Sequence, residues 1–506
     1  MKLDRQVCSR ARLARDARFD GKFFIAVLTT RIYCRPICPA RTCKESNVIY
    51  FPTAAAAAEA GFRPCLRCRP ECSPGCPAWF GTQTTVARAL RLISENGLED
   101  GGVEALADHL GVGARHLRRL FIKHLGASPS AVAHTRRLHF AKQLIDETTL
   151  PMVQVAIAAG FGCVRRFNDA IRKVYHRTPT QIRHLVRQTI RELDNACVFR
   201  LDYRPPYNWK RLLEFLAARA TPGVEAVQDG SYRRTISLHG QHGFLSVSLQ
   251  QQKNAIQVGV QFDDARSLAF IIERVRAMFD LNADWAIISW ILGADPALAA
   301  LLQAEAGLRV PGCFDGFELA TRAILGQQVS VKAATTLAGR IASTFGQRYA
   351  PAPGLTHLFP TPEVLAQADL TRVGLTRARA ETIRALARAV CERRIRFEGV
   401  VDDRALRAQL CEIPGIGRWT AEYVAMRALA DPDAFPAGDL HLRRKTGNLT
   451  ERALEARSEA WRPWRAYATM LLWQGGTLEP ARVPSTRARQ PQPPGTSIRG
   501  TGPRAP

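Results

Sequence analysis

Two close cysteine pairs constrain this chain most: Cys34-x3-Cys38 and Cys65-x2-Cys68, joined by a 26-residue spacer. Paired soft ligands at this spacing suit tetrahedral zinc, which favours thiolate sulfur at about 2.3 Å. A zinc-bound thiol is held as thiolate, so such a centre is also a latent nucleophile. Eight of the 13 cysteines lie before position 77. An odd total, unevenly placed, argues against a disulfide framework. Cys43, Cys72 and Cys76 fall outside the spacing, with Cys72 the one alternative ligand. Residues 1–76 therefore read as a small zinc-centred unit with Cys34, Cys38, Cys65 and Cys68 as ligands. It has a β-like run at 23–34 and a helical alanine stretch at 53–61.

Three further segments and a tail follow. Residues 82–186 carry helical periodicity, with Val86, Ala89, Leu90 and Ile93 on one face. Residues 195–282 alternate with period two, as in 235–240, 244–250 and 255–262, and predict antiparallel strands. Residues 283–480 return to helical patterns. Residues 481–506 are rich in Pro, Arg and Gly without apolar periodicity, and are expected to be disordered. The fold class expected is thus multidomain, mostly α with α+β parts.

The formal net charge is +26, and arginine far exceeds lysine. Such a balance points to a polyanionic partner, nucleic acid first. The hydrophobic share of 46% and charged share of 23% are those of globular chains rather than disordered ones. No apolar run reaches membrane-spanning length, so no membrane partner is expected. The N-terminus lacks an apolar core of signal-peptide length, which implies a cytoplasmic, nucleoid-associated location.

Segment 103–126 has a helix, a turn at Gly111-Val112-Gly113, and a second helix bearing Arg115, His116, Arg118 and Arg119. Leu106, Leu110, Leu117 and Phe121 form its expected buried stripe. Segment 152–179 repeats the plan 49 residues on, with Gly160 matching Gly111 and with Arg165, Arg166 and Asn168 facing outward. Basic and amide side chains on a second helix are what groove and phosphate contacts require. Cys163 opens that last helix and is a poor cap.

In segment 411–444, Pro414-Gly415-Ile416-Gly417 reads as a hairpin between two helices. Gly415 and Gly417 let backbone N–H groups approach a DNA phosphate, and the next helix N-terminus adds its dipole. Asp439 lies 22 residues beyond Gly417. Locally it is either a functional carboxylate or the N-cap of the helix that follows. Asp431 and Asp433, in a DPD turn, read as loop residues.

These motifs carry three resemblances. TTRIYCRPICPAR and AAGFRPCLRCRPE resemble the N-terminal zinc domain of the Ada methylation-response family, over about 16–71. That resemblance implies that Cys34 accepts a methyl group from a DNA phosphotriester and that the other three cysteines are ligands. The paired helical units, with their GF…RRF…Y…TP ending, resemble the all-α AraC-type double helix-turn-helix. Residues 195–480 resemble the AlkA type of DNA-3-methyladenine glycosylase: an antiparallel β/α N-terminal domain, then the all-α helix-hairpin-helix domain. It implies Asp439 as the catalytic carboxylate and Trp419, Tyr423 and Trp473 as base-binding aromatics. It also implies Gln328 as the residue that fills the gap left by an extruded nucleotide. Trp419 stands where bifunctional relatives carry a lysine, so no Schiff base is expected. Leu440 stands where some relatives carry an aromatic. The carbonyls of Cys411, Ile413 and Ile416 match a monovalent-cation site. No Pro-Cys-His-Arg motif occurs, so guanine-alkyl transfer is not expected. The implied partners are damaged and promoter duplex DNA, with RNA polymerase if the chain activates transcription. Two functions stay open: base excision joined to damage sensing, or an adaptive-response activator whose glycosylase part only binds DNA.

Overall fold

The computed structural model describes residues 3–75, 85–96, 98, 102–186, 197–398 and 403–475. The expected disordered tail at 481–506 and Cys76 lie outside the described residues.

The zinc-type unit is a four-stranded sheet in the order β3-β1-β2-β4: β1 (Phe24–Val27), β2 (Ile32–Cys34), β3 (Val48–Phe51) and β4 (Arg63–Pro64). The β-like run at 23–34 is the β1–β2 hairpin. The alanine stretch is the helix Ala54–Glu59, capped by the Thr53 hydroxyl on the Ala56 N–H. The β2–β4 pairing is parallel, Tyr33 against Pro64. It brings the end of β2, at Cys34, beside Cys65.

The predicted helix pairs form as read. Gly102–His109 precedes Ala114–Leu125, and Met152–Ala158 precedes Val164–Tyr175, with the long helix Pro129–Glu147 between the pairs. Gly111 and Gly160 both take positive φ, 67° and 75°, where each first helix must turn sharply. Leu106, Leu110, Leu117 and Phe121 are buried, as their spacing demands.

A five-stranded sheet of order β5-β9-β8-β7-β6 follows: β5 (Cys197–Asp202), β6 (Glu225–Gln228), β7 (Ser231–Leu238), β8 (Gln241–Gln250) and β9 (Ala255–Phe262). All its pairings are antiparallel. β7 stops at Leu238, short of the strand read to 240, because His239 and Gly240 adopt positive φ in the β7–β8 turn. One continuous apolar cluster links this sheet to the second helix pair. It runs from Leu144, Phe167 and Ile171 to Phe199, Leu245 and Val258.

The remaining residues are helical around a separate large core. Helices Gly316–Leu325 and Val331–Phe345 flank the turn with Gln327 and Gln328. Helices Asp403–Cys411 and Arg418–Ala428 flank the glycine hairpin. Among the described residues, no helix is long and apolar enough to cross a membrane.

Candidate active site and metal centre

The hairpin owes its shape to Gly415. Its φ is +91°, and a Cβ there would lie 2.2 Å from Thr382 Oγ1. That hydroxyl also donates to the Pro414 carbonyl at 2.9 Å. Gly417 caps the helix Arg418–Ala428 with nothing within 4 Å of its missing side chain. Pro414, Gly415 and Gly417 are exposed while Ile413 and Ile416 are buried. The hairpin therefore presents bare backbone to solvent while its apolar residues root it in the core.

Trp419 and Tyr423 stand one turn apart on the helix that the hairpin starts. Their rings stack at 5.6 Å between centroids, 17° apart in plane, and Trp473 from the helix Arg465–Gln474 meets Tyr423 at 6.1 Å. Three N–H groups converge on Asp439. Leu442 N donates to Oδ1 at 2.8 Å, Trp473 Nε1 to the same oxygen at 3.2 Å, and Trp419 Nε1 to Oδ2 at 2.9 Å. Asp439 is thus the N-cap of the helix Leu440–Lys445 and also the polar centre of the aromatic cluster. The two roles do not compete, because a carboxylate has about four acceptor positions and three are filled. Asp439, Trp419, Tyr423 and Trp473 are all half-buried, and Leu440 is exposed at the rim.

Behind this cluster lies a residue that sequence reading missed. Arg427 Nη1 donates to the Tyr423 hydroxyl oxygen at 2.7 Å, and the same guanidinium holds the carbonyls of Pro311 and Gly312. Burial alone would push the Tyr423 phenol up, but the guanidiniums of Arg427, Arg219 and Arg322 outweigh it and hold the phenol below its ordinary value. Arg427 lies four residues beyond Tyr423 on one helix, a spacing that could have flagged it.

Gln328 sits at the turn with φ +56° and is exposed. Its neighbour Gln327 fastens that turn to the hairpin, donating to the Gly415 carbonyl at 2.9 Å and to Thr420 Oγ1 at 3.0 Å. Asp431 and Asp433 are engaged by Arg407 and by Arg462 with Arg465, as ion-paired loop residues.

In the N-terminal unit, Cys34, Cys38, Cys65 and Cys68 converge with all four sulfurs within 4.8 Å of one another. A tetrahedral zinc with about 2.3 Å bonds sets sulfurs about 3.8 Å apart, so the donor set fits that ion. Cys72 is fully buried and is not part of the cluster.

On the helix pairs, Arg115, His116, Arg118 and Arg119 are exposed, as are Arg165 and Arg166, with Asn168 half-exposed. Arg118 bonds Glu104, and Arg119 contacts His116. Cys163 does cap its helix, its sulfur accepting the Arg166 N–H at 3.5 Å, a long and weak bond.

Four family descriptions match in chain order: the metal binding domain of Ada over 7–71, a helix-turn-helix domain over 106–184, the AlkA N-terminal domain over 198–315, and the HhH-GPD superfamily of base excision DNA repair proteins over 321–465. The probable bifunctional transcriptional activator/DNA repair enzyme AlkA of Mycobacterium tuberculosis is 43% identical over 484 residues, 94% of this chain and 97% of its own. DNA-3-methyladenine glycosylase 2 of Escherichia coli is 34% identical over 54% of this chain and 96% of its own. The bifunctional activator/repair enzyme Ada of the same organism is 41% identical over 24% of this chain and 32% of its own. With its zinc-type, helix-turn-helix and glycosylase parts in one polypeptide, the chain belongs to the family of bifunctional transcriptional activator/DNA repair enzymes of the AlkA kind.

Proposed function

We propose that the C-terminal half removes alkylated bases such as 3-methyladenine from duplex DNA by hydrolysing the N-glycosidic bond. The observation that carries this is the Asp439 carboxylate, oriented by two indole N–H groups inside an aromatic cluster that adjoins the hairpin. Cleavage builds positive charge on the sugar, and a carboxylate with one acceptor position left can stabilise that cation or take a proton from water. N-alkylated purines are themselves cationic, and indole faces attract cations by ~1–2 kcal/mol. Trp419, Tyr423 and Trp473 are the proposed base-binding surface. With Trp419 at the lysine position, the enzyme is monofunctional. Gly415 and Gly417 hold the DNA backbone, and Gln328 fills the gap in the duplex. The carbonyls of Cys411, Ile413 and Ile416 are the proposed monovalent-cation ligands.

The N-terminal half is the proposed sensor. Zinc, when bound, keeps the four cysteines as thiolates. The Cys34 sulfur attacks the methyl carbon of a methyl phosphotriester. The S–C bond forms as the C–O bond breaks, and the phosphodiester anion leaves. Loss of one thiolate charge reduces repulsion with DNA phosphates, which tightens binding. Arg115, His116, Arg118, Arg119, Arg165, Arg166 and Asn168 then contact promoter DNA, and RNA polymerase is the partner of the activated form. Residues 1–76, 82–186, 195–282 and 283–480 are the proposed units, in a cytoplasmic, nucleoid-associated protein.

The test is base release from duplex DNA containing 3-methyladenine. Asp439→Asn is expected to slow release about 100-fold or more. Unchanged release would overturn the mechanism. If wild type releases no base yet binds a promoter more tightly after methylation, the protein is an activator whose glycosylase part only binds DNA. Peptide mapping after methylating treatment should place the methyl on Cys34, and a methyl elsewhere refutes the sensor assignment.

A further inference from the structure

The four-cysteine unit is gripped by the glycosylase half, and the grip runs through Arg35, the residue after Cys34. Arg35 is 2% exposed. Its backbone N–H donates to Cys68 Sγ at 3.3 Å, and its Nη1 donates to the carbonyls of Cys68 and Arg69 at 3.0 and 3.2 Å. Its Nε donates to Asp20 Oδ1 at 2.9 Å. Its Nη2 reaches Asp20 and, at 2.7 Å, Asp202 Oδ2. Asp202 closes β5, 167 residues away in sequence. It too is 2% exposed, and its other oxygen accepts from Arg200 Nε at 2.8 Å. Every N–H of the Arg35 side chain is thereby occupied, by the loop of Cys68 and Arg69, by Asp20 and by the sheet of the other half.

A buried guanidinium depends on its charged acceptors, and with Asp202 neutralised Arg35 keeps only Asp20 as a counter-charge and loses its charged anchor on the other half. Asp20 comes from the zinc unit itself, whereas Asp202 comes from the glycosylase half. We infer that Asp202 is a positioning residue of the four-cysteine centre, holding through Arg35 the loops that carry Cys34 and Cys68. Outer partners of this kind orient the ligands they touch, and their loss costs metal affinity about 10- to 100-fold. The contact is not demanded by either function alone. The metal binding domain of Ada is matched over 7–71 and the AlkA N-terminal domain, which takes in Asp202, over 198–315, as two separate family descriptions. Because linkage is reciprocal, zinc must favour the docked β5 as much as docked β5 favours zinc.

The test uses the full-length, zinc-loaded protein and a chromogenic chelator. Asp202→Asn is expected to release zinc about tenfold faster than wild type. The comparison variant is Asp284→Asn. It breaks the Lys22–Asp284 pair, 2.5 Å long, which joins the same two halves without touching the cysteine loops. It is expected to release zinc within about twofold of wild type. Asp202→Glu, which keeps the charge, should recover most of the difference. A second measurement needs no variant: removing zinc from wild type should speed amide exchange in β5 more than in β7. The inference fails if Asp202→Asn keeps zinc as wild type does, if Asp284→Asn loses it equally fast, or if β5 exchange ignores the metal.

Discussion

The four-cysteine centre draws its ligands from one stretch, Cys34 to Cys68, in a unit whose buried apolar clusters are small. The Asp439 site draws on three helices, from Trp419 to Trp473, and its carboxylate is oriented by two half-buried indoles, of which Trp473 packs against the large core. One site is held by what it binds, the other by what surrounds it. Small units with little core need a metal to fold, whereas a pocket on a large core is preformed.

Stripping zinc should separate the two most sharply. Amide exchange across β1–β4 should rise to near the unprotected rate, while base release stays within about threefold of the zinc-loaded protein. Equal loss of both would erase the contrast. Next in size is Gly415→Ala. Alanine is strained at φ +91° and its Cβ meets Thr382, so affinity for duplex DNA should fall about tenfold or more with zinc content unchanged. Titration against labelled duplex reads this directly. Trp473→Phe keeps an aromatic ring, smaller than indole, and removes one N–H from Asp439. It should lower kcat about tenfold with little change in KM, since a bond to a charged acceptor is worth ~1.5–3 kcal/mol. A rise in KM alone would assign Trp473 to base binding only.

The smallest effect is in pH. Burial pushes His139, which bonds Tyr33 beside the cysteine centre, down to about 4. Its neutral form is the folded one, so its contribution is full above 6.5 and is lost as pH falls toward 4. Burial raises Asp280, beside Tyr467 and Val310, to about 6. Its contribution is full below 3.8 and is lost as pH rises through 6. Between pH 7 and 5 the two halves should therefore move in opposite directions, by on the order of 1 kcal/mol each. Segment-resolved exchange checks this, and Asp280→Asn should flatten the response of the glycosylase half.

The same contrast decides what could be read from sequence. The cysteine quartet, the paired helices and the glycine hairpin are local patterns with fixed spacing, so they were legible. Asp439 had two local readings, cap and functional carboxylate; the folded chain shows the cap and adds two indole N–H donors on the same carboxylate, which supports the proposed catalytic role. The indole N–H groups of Trp419 and Trp473 aimed at it were not legible as such, because they lie 20 and 34 residues away and meet it only through packing. The Arg35–Asp202 pair, 167 residues apart, is beyond any local pattern.

The apolar cluster that runs from Phe167 and Ile171 into Phe199 and Val258 bears on genetics. Cutting the chain between the second helix pair and β5 would leave each fragment with a raw hydrophobic face, and such fragments aggregate. Truncation at this point is thus expected to compromise both parts. Point substitutions at Cys34 and at Asp439 are therefore the way to separate the proposed sensor from the proposed glycosylase.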